Sequence, residues 1–150
     1  QYEMVRLGIG LYGVSLSGLP VQNMGTLKST VSQIKTAGSD ETVGYNRKGR
    51  LDSESRIAIV PIGYADGMNR KLGNRNGSAF IKGQRVPIVG NICMDMLMLD
   101  VTGTNAEAGD TVEFFGPHIP ITELAEKTGT IPYEILTGIS QRVKRIYLQE

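Results

Sequence analysis

The stretch Arg56-Ile57-Ala58-Ile59-Val60-Pro61-Ile62-Gly63-Tyr64 decides the reading of the fold. It is rich in β-branched residues and nearly continuous in apolar character, which marks a strand buried on both faces rather than a half-exposed one. Such a strand is predicted to sit centrally in its sheet. Downstream, residues 79–81 and 85–89 flank the short glycine-containing turn Lys82-Gly83-Gln84 and predict a hairpin that runs on toward a strand at 92–101. Residues 111–115 supply another strand. Upstream, residues 27–35 are rich in Thr, Val and Ser and lead to Ala37-Gly38-Ser39-Asp40, with the next candidate strand at 42–46.

Further out, helix signals are few. Only residues 122–127 carry one, with Thr122 as N-cap, the helix formers Glu123, Leu124, Ala125, Glu126 and Lys127, and Gly129 as a stop. Residues 142–148 alternate basic and apolar side chains, the pattern of a closing, half-exposed strand. At the other end, residues 4–13 combine an apolar run with closely spaced glycines and predict a strand that passes into a loop containing Gly18 and Pro20. The expected fold is mainly β: a barrel-like domain of many short strands with one or two short helices. A weak boundary near residues 24–26 divides the chain into 1–26 and a β domain at 27–150.

A chain of 150 residues is the size of one domain, and 40% hydrophobic with 21% charged residues place it among folded globular proteins. Sixteen basic against fifteen acidic side chains, without a dense basic cluster, argue against nucleic acid as a partner. The apolar runs are too short for a membrane span and the first twenty residues lack a signal-peptide pattern, so no membrane association and a cytoplasmic location are expected. Cys93 is the only cysteine and His118 the only histidine, which excludes a disulfide framework and a zinc site of several Cys and His ligands; no metal is expected. His118, between Pro117 and Ile119, reads as a surface-loop residue. The opening at Gln1, which enters a strand-like run almost at once, reads as that of a fragment.

Gly8, Gly10 and Gly13 fit G-x-G-x-x-G, but Gly18 and Pro20 interrupt the helix that a dinucleotide site requires, and no βαβ unit surrounds the motif. Backbone amides at these glycines could still approach a lone phosphate. Arg6, two residues earlier, calls either for a carboxylate partner or for a ligand beside the glycines. Tyr45, Tyr64 and Tyr133 each lie in a short motif, and any one of them alone reads as a core or interface tyrosine.

Taken in order, Arg6-Leu7-Gly8-Ile9-Gly10-Leu11-Tyr12-Gly13, Val43-Gly44-Tyr45, Pro61-Ile62-Gly63-Tyr64-Ala65-Asp66-Gly67, Cys93-Met94-Asp95, Ile131-Pro132-Tyr133-Glu134 and Gln141-Arg142-Val143-Lys144-Arg145-Ile146-Tyr147 resemble alanine racemase. The resemblance covers essentially the whole chain, from the last strand of that family's amino-terminal barrel through its carboxy-terminal β domain. It implies an isomerase that interconverts L- and D-alanine with pyridoxal 5'-phosphate and supplies D-alanine for cell-wall peptidoglycan. Arg6 would face the pyridine nitrogen of the cofactor, and Gly8, Ile9 and the Tyr133 hydroxyl would hold its phosphate. An arginine keeps its proton at any working pH and so leaves the ring a weaker electron sink, which suits racemisation better than transamination.

The resemblance also implies that Tyr45 moves the Cα proton on one face of alanine, opposite a lysine that belongs to the absent barrel. A tyrosine does this near neutrality only where cations or hydrogen bonds stabilise its phenolate. The Met94 amide would receive the substrate carboxylate, with Cys93 and Asp95 fixing that loop; Tyr64, Asp66, Ile131 and, further out, Arg70 would line the entrance. Cys93 lacks the neighbours of an activated nucleophile. In this family two chains pair head to tail, so Arg6, Ile9 and Tyr133 would serve their own chain and Tyr45, Tyr64 and Met94 the neighbour's. The expected partners are the amino-terminal barrel, a second copy and alanine, and the fragment alone is expected to be inactive.

Two positions depart from the pattern. Asn91 stands where many members have a basic residue, and Asn46-Arg47-Lys48 follows Tyr45 where many have small residues and a threonine. Two other readings stay open on sequence: a non-catalytic β-barrel binding or assembly module, and a related racemase acting on another amino acid.

Overall fold

A computed structural model describes residues 3–6, 8–15 and 18–148 of the chain. Among the described residues nine strands form, in chain order, at Leu27–Thr30 (β1), Gln33–Ala37 (β2), Thr42–Val43 (β3), Gly49–Arg50 (β4), Ser55–Val60 (β5), Ser78–Ile81 (β6), Gln84–Val89 (β7), Leu97–Asp100 (β8) and Thr111–Phe115 (β9). Two helices follow, Ile121–Thr128 (α1) and Pro132–Gly138 (α2). Seven strands make one sheet in the order β1-β9-β6-β7-β8-β5-β2, while β3 and β4 form a small ribbon of their own. Every pairing is antiparallel.

The two edge strands of the sheet, β1 and β2, are consecutive in sequence and separated only by Val31 and Ser32. Two residues span roughly 7 Å at most, so the sheet must curl until its edges nearly meet. The chain adopts the expected mainly β, barrel-like architecture, with two short helices where one or two are expected. The expected continuous strand at 27–35 is instead broken at the seam. There the Val31 amide donates to the Asp110 carbonyl and the Ser32 amide to that of Ile59, so the chain changes partner strand.

Strand β5 is covered on both faces, as its composition predicts. Ala58 and Val60 join the main core with Phe114, Ile88 and Leu99, while Ile57 and Ile59 pack with Val43, Leu51, Val89 and Met98 under the β3–β4 ribbon. It lies next to the edge strand β2 rather than at the centre, because the ribbon supplies the second cover. It also stops at Val60, before Pro61, which offers no amide to a ladder. The predicted hairpin is β6–β7, closed by Lys82 and Gly83 with φ of 48° and 77°. Positive φ at both central residues matches the strands' own twist.

Other expectations are corrected. Residues 4–6 are without regular structure and Ile9–Tyr12 form a 3-10 turn in which the Leu11 and Gly13 amides return to the Gly8 and Gly10 carbonyls, so the backbone closes on itself instead of pairing sideways. Leu7 of that expected strand, and Gln1, Tyr2, Leu16, Ser17, Gln149 and Glu150 of the expected domains, lie outside the described residues. Residues 42–46 give only the two-residue β3, and 92–101 only β8 after a loop. Helix α1 begins one residue early, with Pro120 at the N-cap and no side-chain cap from Thr122, and ends at Gly129 with φ 72° as expected. Residues 142–148 form no strand; the Arg145 guanidinium binds the carbonyls of Ile139, Ser140 and Val143 and folds this segment into turns. Helix α2 forms where the sequence predicts no element; Pro132 in its first turn, with φ preset and no amide to satisfy, suits its start.

His118 is a half-exposed structural residue. Its ring stacks on Phe80 at 3.8 Å, and its backbone amide and Nδ1 lie 2.8 and 2.9 Å from the carboxylate of Glu113 on β9. Burial, the largest influence on Glu113, pushes its carboxyl up, but the bonds from His118 and Ile119 together hold it below the ordinary carboxylate range. A group depressed on folding contributes stability above its unfolded pKa, about 4.3, and loses it as pH falls through the lower folded value. Glu113→Gln is therefore expected to flatten the loss of thermal stability on acidification below about pH 5. Parallel slopes of Tm against pH for the two proteins would refute this.

Candidate functional site

Three turns converge outside the curled sheet. The first carries Tyr45 at the end of the β3–β4 ribbon. Its backbone is unusual: Gly44, Asn46 and Arg47 have φ of 77°, 59° and 52°. A left-handed conformation costs an ordinary L-residue about 1–2 kcal/mol, so this turn holds its shape only where contacts impose it. The ribbon is seated by Gly90, where an added Cβ would come within 2.5 Å of the Val43 carbonyl oxygen. Tyr45 itself is 72% exposed.

The second turn is the 3-10 segment Tyr64–Asp66, capped by a bond from the Gly63 amide to the Asp66 carboxylate at 2.9 Å. The third is the loop of Cys93, Met94 and Asp95. The two are zipped together, since the Tyr64 and Ala65 amides donate to the Cys93 and Met94 carbonyls at 3.0 Å each. The Cys93 and Met94 carbonyls are thus engaged, while the Met94 amide has no acceptor among the described residues. A half-exposed Met94 side chain stands beside it.

Arg70 joins from a fourth turn, Arg70–Leu72, which Lys71 pins to the end of α1 through a 2.8 Å bond to the Thr128 carbonyl. The Cys93 thiol is pushed up by burial, against a weaker opposite pull from the Arg70 charge. A thiol so protonated is a poor nucleophile, in line with the sequence reading. Tyr45, Tyr64, Arg70, Asn91, Cys93 and Met94 all line one cavity of about 530 Å³. An adjoining groove of about 640 Å³ takes in Asp95, Met96, Met98 and Ile59.

Two residues whose bridging roles the sequence does not disclose hold these parts together. Arg142 bridges Asp95 at 2.7 Å and Asp66 at 3.5 Å, tying the loop of Met94 to the turn of Tyr64. In the sequence it stands in a basic, alternating run and in the motif Gln141–Tyr147, neither of which points to these two carboxylates. Asn91 accepts from Asn74 Nδ2 at 3.0 Å and donates its own amide to the Tyr45 carbonyl at 3.1 Å.

The remaining candidates form a separate group. Arg6 is exposed, not buried in a strand, and makes no ion pair among the described residues. Gly8 precedes the 3-10 turn, and an added Cβ there would lie 2.7 Å from the Tyr133 hydroxyl. Tyr133 stands in the first turn of α2, with Ile131 exposed at its N-cap. Neither cavity takes a wall from Arg6, Gly8, Ile9, Ile131 or Tyr133.

Residues 24–147 match the family described as alanine racemase, C-terminal domain. The chain belongs to the alanine racemase family. It is 44% identical to the alanine racemase of Geobacter sp. (strain M21) over 158 residues, covering 97% of this chain and 41% of that protein. The alanine racemase of Methanococcus maripaludis is likewise 44% identical, with 97% and 42% covered. Among solved structures, the alanine racemase of Bartonella henselae with covalently bound pyridoxal phosphate superposes with TM-score 0.88 at 38% identity, over 94% of this chain and 40% of that one. The Bacillus anthracis alanine racemase with bound L-Ala-P gives 0.87 at 37%, over 95% and 39%. The chain thus spans about two-fifths of the length of the alanine racemases it matches. None of its helices is long and apolar enough to cross a membrane, among the described residues.

Proposed function

We propose that the chain is the carboxy-terminal part of a cytoplasmic alanine racemase that interconverts L- and D-alanine and supplies D-alanine for peptidoglycan. In this reading residues 1–26 end an amino-terminal barrel domain that carries the cofactor lysine, residues 27–150 form the β domain, and two copies share their active sites. The observation that carries it is the convergence of Tyr45, Tyr64 and the open Met94 amide on one cavity, apart from Arg6, Gly8 and Tyr133. A site split over two groups on one chain suits completion by a neighbour.

The residues fit pyridoxal 5'-phosphate. The Tyr133 hydroxyl lies where a side chain at Gly8 would intrude, so a phenol donor stands against the backbone of Gly8, a pairing suited to a phosphate. Arg6 would sit at the ring nitrogen and keep its own proton. When bound, the cofactor draws electrons from Cα of alanine and makes its proton removable. The Met94 amide would hold the carboxylate, Tyr45 Oη would take or return the Cα proton on one face, and Tyr64, Asp66, Asp95, Arg70 and Ile131 would narrow the way in.

The test is interconversion of alanine enantiomers by the full-length protein supplied with pyridoxal phosphate. Failure on alanine with turnover of another amino acid would change the substrate, and failure on all would overturn the reading. In the same protein Tyr133→Phe removes one donor to a charged phosphate and is expected to raise the Kd for the cofactor about tenfold, read by absorbance titration of the apo-protein. An unchanged Kd would remove Tyr133 from the phosphate site.

A further inference from the structure

We infer that Asn91 is the positioning residue of Tyr45, and this rests on Tyr45 acting in proton transfer. The turn 44–47 runs through three positive-φ residues, and its hold on the rest of the molecule by side-chain hydrogen bonding, among the described residues, is the bond from Asn91 Nδ2 to the Tyr45 carbonyl. A carbonyl only accepts, so Asn91 must present its NH2 to Tyr45. That leaves Asn91 Oδ1 facing Asn74, whose amide donates to it at 3.0 Å. Asn74 is fixed in turn by its backbone amide, which donates to the Gly90 carbonyl at 2.8 Å. The relay has one possible direction, from Asn74 through Asn91 to Tyr45.

Its position suits control rather than bulk support. Asn91 is only partly buried and lines the same cavity as Tyr45 and Met94, so it holds the turn from the side on which substrate would lie. It follows Gly90, whose close approach to Val43 seats the ribbon below. The Gly90–Asn91 dipeptide therefore holds both the last pair of the ribbon, Val43 and Gly49, and the turn beyond it. The phenol of Tyr45 is exposed and, among the described residues, gains no comparable anchor of its own.

Asn91→Asp in the full-length protein tests this, because it keeps the shape and the acceptor for Asn74 and removes the donor to Tyr45. Amide exchange read on peptides covering residues 42–50 is expected to speed up about tenfold while β5 and β8 keep their protection. The kcat for alanine is expected to fall about fivefold with KM changed less than about twofold, and the primary isotope effect with α-deuterated alanine to rise. Unchanged exchange at 42–50 would overturn the inference, as would faster exchange with unchanged kcat. Exchange rising equally through β5 and β8 would also overturn it, by reducing Asn91 to a stabiliser of the domain. If the unmutated protein does not racemise alanine, the functional reading falls separately, and the exchange comparison still decides whether Asn91 holds the turn.

Discussion

Tyr45→Phe in the full-length protein is expected to slow the racemisation of alanine by about 10²–10⁴-fold, the range that a positioned acid–base group supplies. The change removes one hydroxyl from a side chain that is 72% exposed and outside both cores, so the fold gives no reason for the loss. With one base removed and the lysine retained, a finer result follows. Incubated separately in D2O, one alanine enantiomer is expected to keep exchanging its Cα hydrogen, because the lysine still reaches it, while the other ceases to exchange. A loss below about tenfold would dismiss Tyr45 as a proton-transfer group. Loss of exchange from both enantiomers together with cofactor binding would make its role structural.

The distribution of legible and illegible features follows from the range of the forces involved. Strand β5, the Lys82-Gly83 hairpin and the Gly129 stop of α1 were readable because a periodicity or a backbone conformation leaves a local mark. The seam at Val31 and Ser32 was not, because it exists only where Asp110 and Ile59 offer carbonyls from distant strands. Arg145 illustrates the opposite hazard. An alternating pattern read as a strand is used instead to tie carbonyls in a turn.

The site shows the same division. Tyr45, Tyr64, Arg70 and Met94 come from four turns up to 49 residues apart, and no spacing rule relates them. Their order along the chain resembles a known family, and that resemblance, not pattern, brought them forward. The roles of Arg142 and Asn91 are not legible in the sequence because each works through bonds to atoms far away along the chain, Arg142 to Asp66 and Asp95 and Asn91 to a main-chain carbonyl. A guanidinium between two carboxylates belongs to tertiary structure alone.

Gly90→Ala is expected to destabilise the protein by about 2–5 kcal/mol, the sum of a left-handed backbone and forced overpacking. Gly90 has φ 69°, and a methyl group there would stand 2.5 Å from the Val43 carbonyl oxygen, a backbone atom that cannot rotate away. Gly83→Ala provides the control, since that residue has φ 77° and open space around it. It should lose only the conformational part, about 1–2 kcal/mol. The difference between the two thermal midpoints thus measures the contact rather than the torsion. Because the displaced element is the ribbon that carries Tyr45, Gly90→Ala should also depress racemisation at temperatures where the protein remains folded, and Gly83→Ala should not. Equal midpoints for the two variants would mean that the ribbon does not rest on Gly90, and the seat proposed for the catalytic turn would have to be sought elsewhere.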